Sequence, residues 1–325
     1  MANIGVRSPY FIYYTESGQD SGGLPAAYAT LSLTIAGTLE YSITKYTGTS
    51  FLMDIADLVR DYVNPAYAGV LNKDSAKAVS VTYSVQFYST AGRTVGAAKD
   101  NTHLAFDAYN YFKEGNAIDS NESGFYMPAY TIMLTGPVIW YPENTAGSFF
   151  YVDASGAFQK QDFGVSDSSI TMFETTEYET TIYIRRLPCT KYDPMKLVFV
   201  NKYGVMQELW FTAKSTESIT VSGDKFKSGF VSQNGAINRF KHQIADYNKN
   251  GKIRYTLNTT YICEGVTRYV EELLLSEQVW LQQNGDYFPV NVTSSDVQFK
   301  TSVNDKLVNY TIDVEQANDL ISTVR

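Results

Sequence analysis

Apolar and polar residues alternate along much of this chain. In "YATLSLTI", which starts at Tyr28, Leu31, Leu33 and Ile35 fall on one side and Thr30, Ser32 and Thr34 on the other. That period of two predicts a strand with one wet face. "PYFIYYTES" from Pro9 and "LEYSITKY" from Leu39 repeat the pattern around turns such as "SGQDSGG". "AVSVTYSVQFYSTAG" sets Val79, Val81, Tyr83, Val85 and Phe87 on one face, and "HLAFDAYNYF" predicts a strand that closes a first domain near residue 115. Further on, "AYTIMLTGPVIWY", "SFFYVDASGAF", "YETTIYIRRLPC" and "GKIRYTLNTTYICEG" read as strands, and "GVSDSSITMF" as a loop.

The period changes twice. In "FLMDIADLVRDYVNP", Leu52, Ile55, Leu58 and Val59 take helical spacing and Pro65 stops the segment. In "VTRYVEELLLSEQVWL", Val266, Tyr269, Val270, Leu273 and Leu274 form an i, i+3/i+4 stripe, which predicts a second helix. Residues 198–219, "VFVNKYGVMQELWFTAKSTESI", predict a hairpin. Val198 and Val200 alternate with Phe199 and Asn201, Gly204 permits the turn, and Leu209 with Phe211 opposes Met206, Glu208 and Trp210. The closing "YFPVNVTSSDVQFKTSVNDKLVNYTIDVEQANDLI" predicts two strands joined through "VND", then a short helical or irregular tail. No fixed repeat of 20–50 residues emerges.

The expected fold is therefore mainly β: two β-sandwich (immunoglobulin-like) domains, or three, with one or two short helices. Residues 1–115 form the N-terminal β-sandwich domain, and 116–128, "NAIDSNESGFYMP", form a polar linker. Residues 129–325 form a C-terminal β-rich domain, divisible near 240. Composition agrees. With 26 Tyr, 18 Phe and 18% charged residues among 325, the chain is rich in side chains that fit a pleated, half-buried surface.

Charge narrows the partners. A net charge of −8 without any basic run argues against binding nucleic acid phosphates, so no specific nucleic-acid binding is expected. The opening "MANIGVRSPYFIYY" lacks the pattern of a signal peptide, and no stretch approaches the roughly 18 apolar residues of a membrane span. The expectation is synthesis and folding in the cytoplasm, with no membrane partner. Cys189 and Cys263 stand far apart outside any CxxC pattern, which suits two small buried residues better than a disulfide scaffold or a zinc site.

Candidate chemistry is sparse. A Ser/His/Asp hydrolase needs a histidine between a nucleophile and a carboxylate, and only His103 and His242 exist, neither in a nucleophile motif. Each reads as a solvated or singly hydrogen-bonded side chain, including His242 with Asp246 four residues on. "DYNKNGKIRYTL" begins like a calcium loop, with Asp246, Asn248, Asn250 and Gly251 at the first, third, fifth and sixth positions. Leu257 stands where the closing glutamate belongs, and Arg254 at the ninth position brings the wrong charge. Asn250-Gly251 between apolar arms reads instead as a hairpin turn. Glu271 and Glu272 leave a helix in different directions and read as its solvated face. Asn258, Asn291 and Asn309 open glycosylation-type tripeptides that are more simply β-segment residues. No phosphate loop follows a strand. The expectation is a non-enzyme with no catalytic residue, cofactor or metal. Trp140, Trp210 and Trp280 read as core before interface, and Trp210 leaves open whether it sits in a domain core or at a subunit contact.

Three segments carry a resemblance. "SFLMDIADLVRDYVNP", "LVFVNKYGVMQELWFTAKSTESI" and "WLQQNGDYFPVNVTSSDVQFKTSVNDKLVNYTIDVEQANDLI" together resemble virion structural proteins of crAss-like, Bacteroidetes-infecting tailed phages, whose short tails carry stacked neck and tail rings. The resemblance lies in running order and local texture, not in a catalytic signature. It implies a homo-oligomeric ring that contacts other neck, tail and portal proteins in the virion, with DNA passing through its lumen. Ring contacts are heterologous, one patch against a different patch on the neighbour. Two rivals stand beside it. One is a carbohydrate-binding, adhesin or receptor-binding β-sandwich module, whose Tyr and Trp would stack on sugars; the other is a hydrolase of unrecognised type.

Overall fold

The computed structural model describes residues 2–119, 121–173, 178–187, 191–229, 231, 234–237, 239–262, 264–294, 296–297 and 309–322. The protein is mainly β, with several sheets and two short α-helices. Its residues group into two compact units. Unit 1 holds Met1–Cys189, Val198–Leu209 and Gly265–Glu277; unit 2 holds Thr190–Leu197, Trp210–Glu264 and Gln278–Arg325.

In unit 1, strands β1 (Ala2–Gly5), β2 (Phe11–Thr15), β3 (Ala26–Ile35), β4 (Thr38–Tyr46) and β5 (Ser50–Asp54) lead into helix α1 (Ala56–Arg60). Then come β6 (Val79–Ser89), β7 (Thr94–Phe106), β8 (Ala117–Asp119), β9 (Glu122–Gly124) and β10 (Tyr126–Met127). They make a six-stranded sheet, β10-β1-β7-β6-β3-β4, and a four-stranded sheet, β5-β2-β9-β8. The alternating residues face inward as their period demands. Leu31, Leu33 and Ile35 of β3 and Val81, Tyr83, Val85 and Phe87 of β6 share one core with Ile12 and Phe51 of the smaller sheet. Burying each such side chain contributes about 1.5–3 kcal/mol, which is what holds the two sheets face to face. On the wet face, Thr30 meets Thr44 at 2.9 Å and Thr82 meets Thr102 at 3.0 Å across neighbouring strands.

Three local expectations change here. The helix expected from residue 51 starts only at Ala56, because residues 50–54 pair with β2 and bury Phe51. Asp54 marks the switch, its Oδ1 accepting from the Tyr10 and Ala56 amides at 2.9 and 3.0 Å. The polar stretch 116–128 carries β8, β9 and β10, and two of these complete sheets through β2 and β1. The loop-like "GVSDSSITMF" contains a strand, with Met172 buried.

The rest of unit 1 adds β11 (Val138–Pro142), β12 (Gly147–Val152), β13 (Phe158–Phe163), β14 (Ser169–Met172) and β15 (Thr180–Leu187). These form a three-stranded sheet, β11-β15-β14, and the hairpin β12-β13. β16 (Met195–Val200) and β17 (Met206–Phe211) make the expected hairpin, whose residues divide between the units. Its turn is held by Asn201, whose carbonyl accepts from the Gly204 amide at 2.9 Å and whose Oδ1 accepts from the Tyr203 amide at 3.0 Å. Gly204 has φ +75°, and a Cβ there would stand 2.8 Å from the Asp107 backbone, so only glycine fits. Helix α2 (Thr267–Leu275) matches its predicted stripe, with Tyr269, Val270 and Leu273 buried.

Unit 2 contains β18 (Thr216–Lys227), β19 (Ile244–Asn258), β20 (Val279–Gln283), β21 (Asp286–Val292) and β22 (Thr311–Gln316), in the order β20-β21-β22-β19-β18. β22 pairs with β19 only over residues 254–258, so the outer part of β18 and β19 runs on as a two-stranded ribbon. Asn250-Gly251 is not the expected turn; both residues lie inside β19, opposite Ser222 and Val221. The irregularity sits beside them, where the register shifts between Ser222 and Asp224 and Asn248 takes φ +53°. Asn250 instead ties down the tail, donating from Nδ2 to the Ile321 carbonyl at 2.9 Å and accepting from the Ile321 amide at 3.0 Å. The "VND" junction lies outside the described residues.

Candidate functional site

The most concentrated chemistry of unit 1 is a carboxylate in the sandwich core. β9 supplies Glu122, β6 Tyr83, β7 Asn101 and His103, and the approach to β2 supplies Tyr10. Glu122 Oε2 accepts from Tyr10 Oη at 2.9 Å; Oε1 accepts from Asn101 Nδ2 at 2.9 Å and from Tyr83 Oη, and faces His103 Nε2 at 2.8 Å. Burial pushes the Glu122 carboxyl up, but the His103, Tyr83 and Tyr10 contacts outweigh it and hold the group at about 2. The same burial and the Glu122 contact drive the Tyr83 phenol far above its ordinary range.

Of the two settings expected for His103, solvated or hydrogen-bonded, it takes the hydrogen-bonded one; it is 1% exposed, on the inward face of its strand. Register could have placed it there, because it shares a face with Val81 across the β6–β7 ladder. Glu122 had no such signal, lying in a polar stretch without periodicity. The two oxygens of Glu122 already face four side-chain partners, and His103, though 1% exposed, is one of the residues that line the cleft described below. The arrangement fixes β2, β6, β7 and β9 to one another.

A second buried carboxylate corrects the reading of α2. Glu272 is 4% exposed, not on the solvated face. Its Oε2 accepts from Thr135 Oγ1 at 2.9 Å and from the Lys202 amide at 3.0 Å. Burial raises its pKa against the pull of those contacts and of Lys202. Neighbouring Asn201 donates from Nδ2 to the Met133 carbonyl at 3.0 Å and to Gln207 Oε1 at 2.8 Å. Glu271 does lie at the surface, 3.0 Å from Arg268. The "NKYG" turn is therefore a hub of polar contacts, which Glu272 of α2 joins.

The other candidates stay apart. His242 is exposed just before β19, and Asp246 within that strand pairs with Lys249 at 2.5 Å. Among the described residues, no group of three His, Cys, Asp or Glu could hold a metal ion. Cys189 and Cys263 lie outside the described residues. Trp140, Trp210 and Trp280 are half-buried, which corrects the expectation of core positions, and Lys196 lies 5.1 Å over the Trp210 ring. A cleft of about 590 Å³ in unit 1 is lined by Asn3, Lys73, Lys77 and Phe158 among others. Among the described residues, no helix is long and apolar enough to cross a membrane.

What the molecule displays is a surface. All twelve residues of β18 are exposed, although the strand carries Ile219 (61% exposed), Val221 (57%) and Phe226. Ile244 and Tyr247 of β19 are also exposed, and Phe226 meets Tyr247 edge to face at 5.6 Å. Leu320 and Ile321 extend the apolar set, since Leu320 and Ile219 both approach Gly251. Phe240, between β18 and β19, is 93% exposed. Sequence reading split this stretch between a hairpin tail and a failed calcium loop, and so missed that β18 and β19 pair along their length and run on beyond β22 as a ribbon. No family model, curated protein or solved structure matches the chain.

Proposed function

We propose that this chain is a virion structural protein of a tailed phage, assembling as a homo-oligomeric ring in the neck or tail to connect and stabilise the portal–tail assembly. The observation that carries the assembling role is the β18–β19 ribbon. A two-stranded ribbon is marginally stable alone in water, and here it keeps large apolar side chains in solvent along its length. A partner surface is the simplest way to cover it. The phage assignment is supported by the three resembling segments, and the mainly β architecture suits rigid modules that work through contacts rather than chemistry. The acid groups at the centre of unit 1 tie sheets together and leave the surface to do the work. Electron microscopy and mass spectrometry of purified particles test the reading. The chain is expected in multiple copies at the neck or tail; its absence from particles overturns the proposal.

One observation favours a second reading, a glycan-binding or receptor-binding module. Tyr28, Tyr46 and Tyr88 stand side by side on the six-stranded sheet, with ring centroids 5.5 and 5.2 Å apart from Tyr28 and with Tyr46 84% exposed. Such a row can stack on sugar rings. A glycan array decides: binding to a defined glycan that Tyr46→Ala abolishes favours this reading, and a blank array removes it.

A further inference from the structure

We infer that the β18–β19 ribbon docks on a second copy of this chain, adding its β18 edge to the exposed β4 edge of the neighbour. The inference rests on the self-assembling part of the function proposed above and names the two surfaces that meet. Both strands end their sheets: β18 closes the order of unit 2 and β4 that of the six-stranded sheet of unit 1. An edge strand presents a row of backbone donors and acceptors, and strands that must stay unpaired are usually short, interrupted or charged. β18 is twelve residues long and β4 nine, and over residues 216–222 the only charge on β18 is Glu217.

Charge selects the partner. Residues 224–249 hold five basic side chains, Lys225, Lys227, Arg239, Lys241 and Lys249, against Asp224 and Asp246, a balance of +3. The whole chain carries −8, so the remainder carries −11. The basic end of the ribbon therefore meets its complement on another copy of the same protein. Glu40 lies on β4 and is exposed, as is Asp61, whose chain neighbour Tyr62 donates from Oη to Glu40 Oε2 at 3.1 Å. Lys45 on β4 is engaged by the Leu52 carbonyl at 2.9 Å. Exposed Leu39 and Tyr46 give β4 the apolar counterpart of Ile219, Val221 and Phe226. Such an edge-to-edge contact uses main-chain hydrogen bonds for affinity and side chains for selection. It joins two different patches, so copies add head to tail and close into a ring when the rotation allows.

The test uses the full chain. Light scattering after size exclusion should find the wild type well above the 36.4 kDa monomer mass. Lys225→Glu with Lys227→Glu should weaken assembly by at least about tenfold, with circular dichroism unchanged. Glu40→Lys with Asp61→Lys should do the same, and an equimolar mixture of the two variants should recover hetero-assembly. Cross-links between the ribbon lysines and the Glu40 or Asp61 region of another copy would support the docking directly. A wild type that assembles while both variants assemble equally well overturns the ribbon docking and leaves the ring reading standing. A wild type that is monomeric at all concentrations overturns the self-docking, whereas absence from particles is what overturns the virion reading. Salt-sensitive binding of a DNA duplex that the lysine reversals abolish, with the mass of the protein unaffected by them, overturns the inference in favour of a nucleic-acid partner.

Discussion

The sandwich of unit 1 and the ribbon of unit 2 use the same residue types to opposite ends. Around Glu122, a carboxylate, a histidine and two tyrosines meet inside the core, and the exposed Asn101 reaches the same carboxylate. Along β18, acids, lysines, valine, isoleucine and phenylalanine all face solvent. In the first region polar groups are committed to internal partners, so removing one leaves others stranded. In the second almost nothing internal depends on them. The comparison separates residues that hold the fold from residues free to hold something else, and it assigns different measurements to each.

The largest effect is expected at Glu122. Glu122→Gln removes the charge that four donors face and should cost on the order of 3–5 kcal/mol in urea unfolding at neutral pH. Its pH dependence sharpens the point. The folded pKa lies below the ordinary 4.5, at about 2, so the contribution is present above the ordinary range and is lost as pH falls from about 4.5 towards 2. The variant should lose that part of the acid slope; an unchanged slope would break the claim that this cluster ties the sheets.

Next comes Gly204→Ala, expected to cost about 2–4 kcal/mol through its left-handed backbone and the close Asp107 backbone. Thermal unfolding measures it, and a neutral result would mean the turn shifts freely.

Asp107 gives a slope of opposite sign to Glu122. Burial pushes it up to about 6, against Arg7 and with Glu277, so stability from this site is full below the ordinary 3.8 and falls as pH rises to about 6. Asp107→Asn should remove that decline and stabilise the protein at neutral pH by roughly 1–2 kcal/mol, read from unfolding midpoints at several pH values.

The smallest effect on stability is expected in the ribbon. Phe226→Ala with Tyr247→Ala should move the unfolding free energy by no more than about 1 kcal/mol, while reducing assembled mass in light scattering. If the pair instead unfolds the protein, the contrast between the two regions collapses.

The legible part of the fold lay where burial is periodic. β3 and β6 could be read because each strand has one dry face, the hairpin β16–β17 because apolar arms flank its Asn-Lys-Tyr-Gly turn, and α2 because its stripe covers one side of a helix. Residues 50–54 misled, because Leu52, Ile55, Leu58 and Val59 fit helical spacing while the segment was being drawn into pairing with β2. Asn250-Gly251 misled for a related reason: the dipeptide suits a turn, but a register shift two residues away used the conformational freedom instead. Nothing local marked Glu272 as buried either, since its partners Thr135 and Lys202 are distant in sequence.

The sequence by itself determined that the protein would be a β-rich, acidic chain, because alternation, aromatic content and net charge are additive properties of residues. Only the tertiary structure decided that Glu122 and His103 meet in a core, that Glu272 is buried, and that β18 with the outer part of β19 forms an exposed ribbon. Those outcomes depend on which strands pair and which edges remain uncovered, and strand pairing joins residues whose separation along the chain carries no local signal.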